Sequence, residues 1–304
     1  MTGHRKNTYH IPLLNQKRRQ SRQKGERTFL ALARQASVLA AMLVSAALML
    51  GVILLAFYYA ALTRDLPAVA LVPVLLDPEN GVFLEPTRLY DRSGAEIYTL
   101  ENTGVSRAYL KLDPAQNEHF SPQLVQAVVA LVEPGFWSGP GFSLRRPLQP
   151  EPQTIAEHLA ADLLLADAPA TPHTALQMRL LGAQLVAEYG RAQVLEWYLN
   201  SAYFGHLAFG AEQAASLYFE SSAGGLNLAQ SALLVALLST PSLNPLDAPQ
   251  AALERMQETL DQLQASGFFA ENSIAEARSC AMPKSSTLTT PSVVTKRFDG
   301  LMSR

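Results

Sequence analysis

The chain has one cysteine in 304 residues, Cys280, so no internal disulfide framework holds it together. Nothing in the sequence pairs with that thiol, which reads as a plain helical residue and not as a nucleophile. Charge is scarce, at 16 % of residues, and is missing altogether from Gln35 to Thr63. There is no internal repeat and no low-complexity tract, which argues against a solenoid. Positive charge is thin beyond the N-terminus. Nine Lys/Arg and one acid precede residue 35, leaving 15 basic and 25 acidic residues and a net charge of −10 for the rest. An anionic substrate would need a locally basic pocket against that background.

The apolar content is 48 %, ample for a core. The uncharged run exceeds the roughly 20 residues that cross a bilayer, and Phe57, Tyr58 and Tyr59 near its end suit an aromatic belt. It is too long for a signal-peptide core, as is its leader, so an uncleaved transmembrane anchor over 35–63 is expected. The leader, 1–34, reads as a basic cytoplasmic tail. The positive-inside rule puts it in the cytoplasm and everything after Arg64 outside, in a single-pass cell-membrane protein. Beside a spanning helix this topogenic role accounts for the basic tail, and no nucleic-acid partner is expected.

Residues 64–86 are proline-punctuated and read as a linker. TRLYDRSGAEIYTL, 87–100, alternates around Asp91 to Gly94 and predicts a β-hairpin. From Ser121 the pattern turns helical. Ser121 and Pro122 make an N-cap and N1 pair, and Leu124, Val125, Val128, Val129 and Val132 form an apolar face. Further helices are predicted near 153–166, 174–189, 192–203, 211–219, 227–239, 248–266 and 272–281. Asn227 with Gln230 forms a capping box, Asp247 is expected to cap the next helix, and Gly267 suits a C′ position. The Ser/Thr-rich stretch 282–304 reads as an unstructured tail.

One segment carries a resemblance. In LEWYLNSAYFGHLAFGAEQAASLYF, residues Leu195, Glu196, Tyr198, Leu199, Asn200, Tyr203, Phe204, Gly205, Gly210, Ala214, Ala215, Tyr218 and Phe219 fall in order over 25 residues. They match the pattern LExYLNxxYFGxGxxGxxxAAxxYF without a gap, except that Leu207 stands for the second glycine of GxG. The segment resembles the peptidoglycan glycosyltransferase domain, glycosyltransferase family 51, of class A penicillin-binding proteins and monofunctional cell-wall glycosyltransferases. Leu228, Ala229, Ala232, Leu233, Leu234, Pro241, Asn244 and Pro245 resemble the family's C-terminal stretch. The resemblance implies a mainly α, lysozyme-like two-lobed domain with a short N-terminal β-hairpin over 87–281, preceded by one transmembrane helix. No SxxK motif of a transpeptidase follows.

The family joins sugars from a lipid-linked disaccharide. One carboxylate acts as base on the acceptor hydroxyl; a second carboxylate and several cations handle the departing diphosphate. Here LVQAVVALVEPGFWSGPG aligns with the first motif, LVxAxIAxEDxxFxxHxG, so that Val132 occupies the base position and Glu133 the neighbouring Asp. Valine accepts no proton. Glu133 would serve only if the helix end shifted by one residue, about 100° of rotation. EPQTIAEHLAADLLL keeps Thr154 of the second motif, but Glu157, His158, Ala161 and Asp162 stand where the paired Gln, Lys and Asn belong. His158 reads as exposed or capping. Thr174, Ala175 and Met178 replace the charges of the third motif, RKxxE, and neighbouring Arg179 reads as a surface residue.

The candidate site is therefore Glu133 as catalytic base, with Thr154, Asn200, Tyr203, Arg145 and Arg146 as substrate contacts. No metal site and no cofactor are expected, beyond a divalent cation if the chain is active. The reading that follows is a catalytically degenerate domain that acts in cell-wall synthesis by binding glycan, lipid-linked precursor or a cell-wall synthesis protein. The alternatives are an active glycosyltransferase using Glu133 and a scaffold that binds no substrate.

Overall fold

A computed structural model describes residues 11–77, 81, 87–100 and 108–281. The readings made for 1–10, for 78–80 and 82–86 of the linker, and for the 282–304 tail lie outside the described residues. The chain divides into two units, Met1–Asp65 and Leu66–Arg304.

The first unit is built on α1 (Ile11–Thr63). Its apolar part, Arg34–Thr63, has 30 residues and is long and apolar enough to cross a membrane. Leu43, Leu48, Leu55 and Phe57 stand exposed along it. The helix does not begin at the apolar run but continues back through the segment read as a tail.

The second unit is mainly α. α2 (Leu71–Leu75) lies in the stretch read as linker, and Val72 and Leu76 are buried. β1 (Thr87–Tyr90) and β2 (Glu96–Leu100) pair antiparallel as expected. Their turn is closed by Asp91, whose Oδ1 accepts hydrogen bonds from the Ser93 and Ala95 amides at 2.7 and 2.9 Å. The helices that follow are α3 (Pro122–Val132), α4 (Ile155–Leu164), α5 (Pro172–Ser201), α6 (Ala211–Phe219), α7 (Leu228–Ser239), α8 (Pro249–Ser266) and α9 (Glu271–Ala281).

α7 organises the core. Every residue from Leu228 to Leu237 is buried, the mark of an interior helix, and α3, α8 and α9 pack around it. Its capping box forms as predicted, with Asn227 accepting from the Gln230 amide and Gln230 from the Asn227 amide. The segment that carries the resemblance is also buried. Phe204, Ala211, Ala214, Ala215, Tyr218 and Phe219 lie in the core, and the Tyr218 hydroxyl donates to the Phe204 carbonyl at 3.0 Å. Gly205 and Gly210 permit this packing: a Cβ at either would meet the Pro241 or Asn200 carbonyl oxygen at 2.4 or 2.5 Å.

The helices expected at 174–189 and 192–203 are the two arms of α5, parted by the non-helical Gly190 (φ 79°, ψ 163°). Two local expectations are corrected. Ser121 sits at the N-cap of α3, but its hydroxyl donates to the Leu226 carbonyl at 2.8 Å and ties α3 to the approach of α7. Asp247 does not cap α8; its carboxylate accepts from the Asn244 side-chain amide at 2.7 Å.

Candidate functional site

α3 ends at Val132, and Glu133 leaves the helix at φ −150°, ψ 84°. Its side chain turns to the start of α4, where Oε2 accepts the Ile155 amide hydrogen at 2.9 Å. A carboxylate here satisfies an orphan amide and complements the positive end of the helix. Burial pushes the Glu133 carboxyl above its ordinary value and nearby Glu157 adds to this, while the Ile155 amide and Arg191 oppose it.

The same helix start absorbs Thr154 and Glu157 of the second motif. Thr154 is the N-cap of α4: its hydroxyl accepts from the Glu157 amide at 3.1 Å and donates to the Gly141 carbonyl at 3.1 Å. Glu157 is fully buried and accepts from the amides of Ser143 at 2.8 Å and Gln153 at 2.7 Å. It anchors the loop that leads into α4.

Arg179 is not on the surface. It is 4 % exposed and donates to the carbonyls of Ser143 (3.1 Å), Ala175 (2.6 Å), Arg146 (2.7 Å) and Gln149 (3.1 Å), with Glu157 Oε1 4.0 Å away. Arg191 holds the start of the same loop, donating from Nε to the Gly139 carbonyl at 2.9 Å and from Nη2 to the same oxygen. Arg145 and Arg146 stay exposed on the loop. Their candidate role as anion contacts rests on charge alone, and Arg146 spends a long hydrogen bond, 3.4 Å, on Gln149.

Asn200 and Tyr203 are not gathered with these groups. Asn200 is 5 % exposed. Its side chain accepts from the Leu110 amide and donates to the Leu110 carbonyl, both at 2.9 Å, and donates to the Glu196 carbonyl at 2.8 Å. Its side-chain amide is thus bonded within the fold on both its oxygen and its nitrogen. Glu196, one turn earlier, accepts from the Tyr109 hydroxyl at 2.8 Å and the Leu112 amide at 3.1 Å and pairs with Lys111 at 3.2 Å. Tyr203 is exposed and packs on Phe209, centroids 4.9 Å apart.

What opens where the base belongs is a cavity of about 230 Å³. Val132 lines it and Glu133 does not. Leu131, Val235, Ala236 and Leu238 give it an apolar side; Gln153, His158, Tyr198, Ser239, Arg255, Thr259 and Gln262 supply the polar one. His158 is partly buried against Tyr198, ring centroids 5.9 Å apart, which corrects its reading as exposed or capping. Burial lowers its pKa to about 4, so the imidazole is neutral. Among the described residues, no three His, Cys, Asp or Glu cluster as metal ligands. The contributions of α8 to this cavity had no sequence signal, since the motifs end before that helix.

Residues 152–264 match the model of the Transglycosylase family, and the chain carries a glycosyltransferase family 51 domain related to peptidoglycan synthesis. Penicillin-binding protein 2a of Streptococcus pneumoniae serotype 2 is 29 % identical over 200 residues, covering 63 % of this chain and 26 % of that protein. The biosynthetic peptidoglycan transglycosylase of Alcanivorax borkumensis is 34 % identical over 118 residues, 37 % of this chain and 48 % of its own. Penicillin-binding protein 1A of Aquifex aeolicus is 32 % identical over 125 residues, 41 % of this chain and 17 % of its own. Among solved structures, penicillin-binding protein 1A of Haemophilus influenzae aligns at TM-score 0.35 and 18 % identity, over 64 % of this chain and 20 % of that one. The match thus spans about a quarter of the length of the streptococcal relative.

Proposed function

We propose that this is a membrane-anchored, extracytoplasmic glycosyltransferase-family domain that serves cell-wall synthesis by binding and not by turnover. The observation that carries the reading is the divergence of two neighbours at the end of α3. Val132 lines the cavity, whereas the Glu133 carboxylate is bonded to the Ile155 amide. A general base must reach the proton it removes, and Glu133 does not line the cavity on which Val132 stands. The cationic side agrees, because Arg179 gives its donors to backbone carbonyls. The anchor is α1, and the basic leader before the apolar segment favours a cytoplasmic N-terminus.

The test is polymerisation of the lipid-linked disaccharide precursor by the full chain in detergent, with divalent cation supplied. No glycan strands are expected at any protein concentration. Strands that form with wild type and vanish with Glu133→Gln would overturn the reading and make Glu133 a relocated base.

A further inference from the structure

A second cavity, about 320 Å³, opens along α3 and shares no lining residue with the one beside Val132. Leu112, Phe120, Val125 and Val129 line it together with Trp137 and Phe268. These two rings are 55 % and 48 % exposed, yet each is set in place. Trp137 packs edge-on against buried Phe136, centroids 5.0 Å apart, and Phe268 follows Gly267, the left-handed C-cap of α8. Two large rings bare beside one apolar groove are surface that a covering segment would stabilise.

Charge selects the cover. The segments that line the groove, 112–126, 134–141 and 265–272, carry Asp113, Glu118 and Glu271, all exposed, and no Lys or Arg. Residues 35–281 as a whole hold 11 Lys/Arg against 24 Asp/Glu. An anionic bilayer and a second copy of this face both bring like charge to that rim, whereas an apolar segment with positive charge is drawn to it. The chain carries such a segment beyond α9. Residues 282–304 hold Lys284, Lys296, Arg297 and Arg304 against Asp299 alone, and Val293, Val294, Phe298, Leu301 and Met302 flank the Lys296-Arg297 pair. The reach suffices. α9 begins three residues after Phe268 and ends at Ala281, so at most about 26 Å separates Phe268 from Ala281. The twelve residues onward to Val293 span up to about 40 Å.

We propose that residues 293–304 seat in this groove as an intramolecular strap, with Phe298 between Trp137 and Phe268 and with Lys296 and Arg297 against Asp113 and Glu118. Seated, the strap covers the two rings without a second protein; released, it bares an apolar docking face with an acidic rim. It does not depend on whether the domain turns over precursor.

The experiment reads Trp137 directly, because the chain has two tryptophans and the other, Trp197, is buried. The full chain in nanodiscs of zwitterionic lipid is titrated with acrylamide. Phe298→Asp, and separately Lys296→Glu with Arg297→Glu, are expected to red-shift the emission and raise quenching at unchanged helix content. A peptide of residues 293–304 added to the Phe298→Asp chain should restore protection. The same peptide with both charges reversed should bind roughly tenfold more weakly, the worth of two exposed ion pairs and their reversal. Trp137 equally open in wild type and variants would overturn the strap. Protection that grows with protein concentration would give the groove to a second copy, and protection that persists in Phe298→Asp at every dilution would give it to the bilayer; either overturns the proposal.

Discussion

The Glu133 carboxylate accepts the Ile155 amide hydrogen at 2.9 Å, across 22 residues of chain. This bond joins the end of α3 to the start of α4 and places the carboxylate next to the expected base position in a structural role. Removing it should cost what a helix cap costs. Glu133→Ala is expected to lose about 1 kcal/mol, whereas Glu133→Gln keeps an accepting oxygen and should lose little. Because the folded carboxyl titrates above its ordinary value, the folded state binds the extra proton. Stability should therefore be highest below the unfolded value and fall as pH rises through the folded one. Denaturant titrations of wild type and Glu133→Gln across acidic pH check this, and the variant should flatten that limb.

Arg179 is expected to be the most sensitive position outside the apolar core. Arg179→Met leaves buried Glu157 without its cation and several carbonyls without donors, a class of change that costs about 3–5 kcal/mol. Arg179→Lys should be nearly as damaging, because one ammonium cannot span carbonyls that a planar guanidinium reaches together. Thermal unfolding followed by circular dichroism in detergent decides it. An unchanged midpoint for both variants would return Arg179 to the surface role read from sequence.

The imidazole of His158 gives acid sensitivity of the opposite sign. Its pKa falls from 6.5 to about 4 in the fold, so the unfolded chain binds the extra proton between those values. Stability from this group is full above pH 6.5 and is lost as pH falls toward 4. His158→Gln should remove that portion of the acid loss, read as a smaller drop in unfolding midpoint between neutral and acidic buffer.

Leu207 holds a left-handed backbone, φ 61°, beside His206 at φ 49°, and its side chain is 71 % exposed. The conformation costs a non-glycine residue about 1–2 kcal/mol, and little packing would be lost with the side chain. Leu207→Gly is expected to raise the melting temperature by about 2 °C after the entropy of glycine is subtracted. A lower melting temperature would show that the leucine is held by contacts of its own.

Much of the helical framework was legible because its signals are local. Asn227 and Gln230 announce their capping box, Gly267 closes α8, and the glycines and aromatics of 195–219 mark a tight, buried turn. The site was legible only as a set of substitutions. Val132 at the base position follows from register, but the direction of Glu133 depends on where α3 stops, since a residue outside the helix no longer obeys its rotation. Arg179 was misread because its acceptors are carbonyls of the 143–149 loop, and a carbonyl has no sequence signature. His158 of α4 and Gln262 of α8 line one cavity through the tertiary fold, a long-range event that no motif records.

The break at Gly190 reaches beyond the shape of α5. A hydrogen-bond ladder transmits order only while it is continuous, and here it is interrupted between an arm carrying Arg179 and an arm carrying Glu196 and Asn200. The first arm is clamped to α4 and its loop; the second is fastened to residues 109–112. In the language of amide exchange the two arms are expected to open as separate cooperative units, the loop clamp losing protection before the segment 195–201 does.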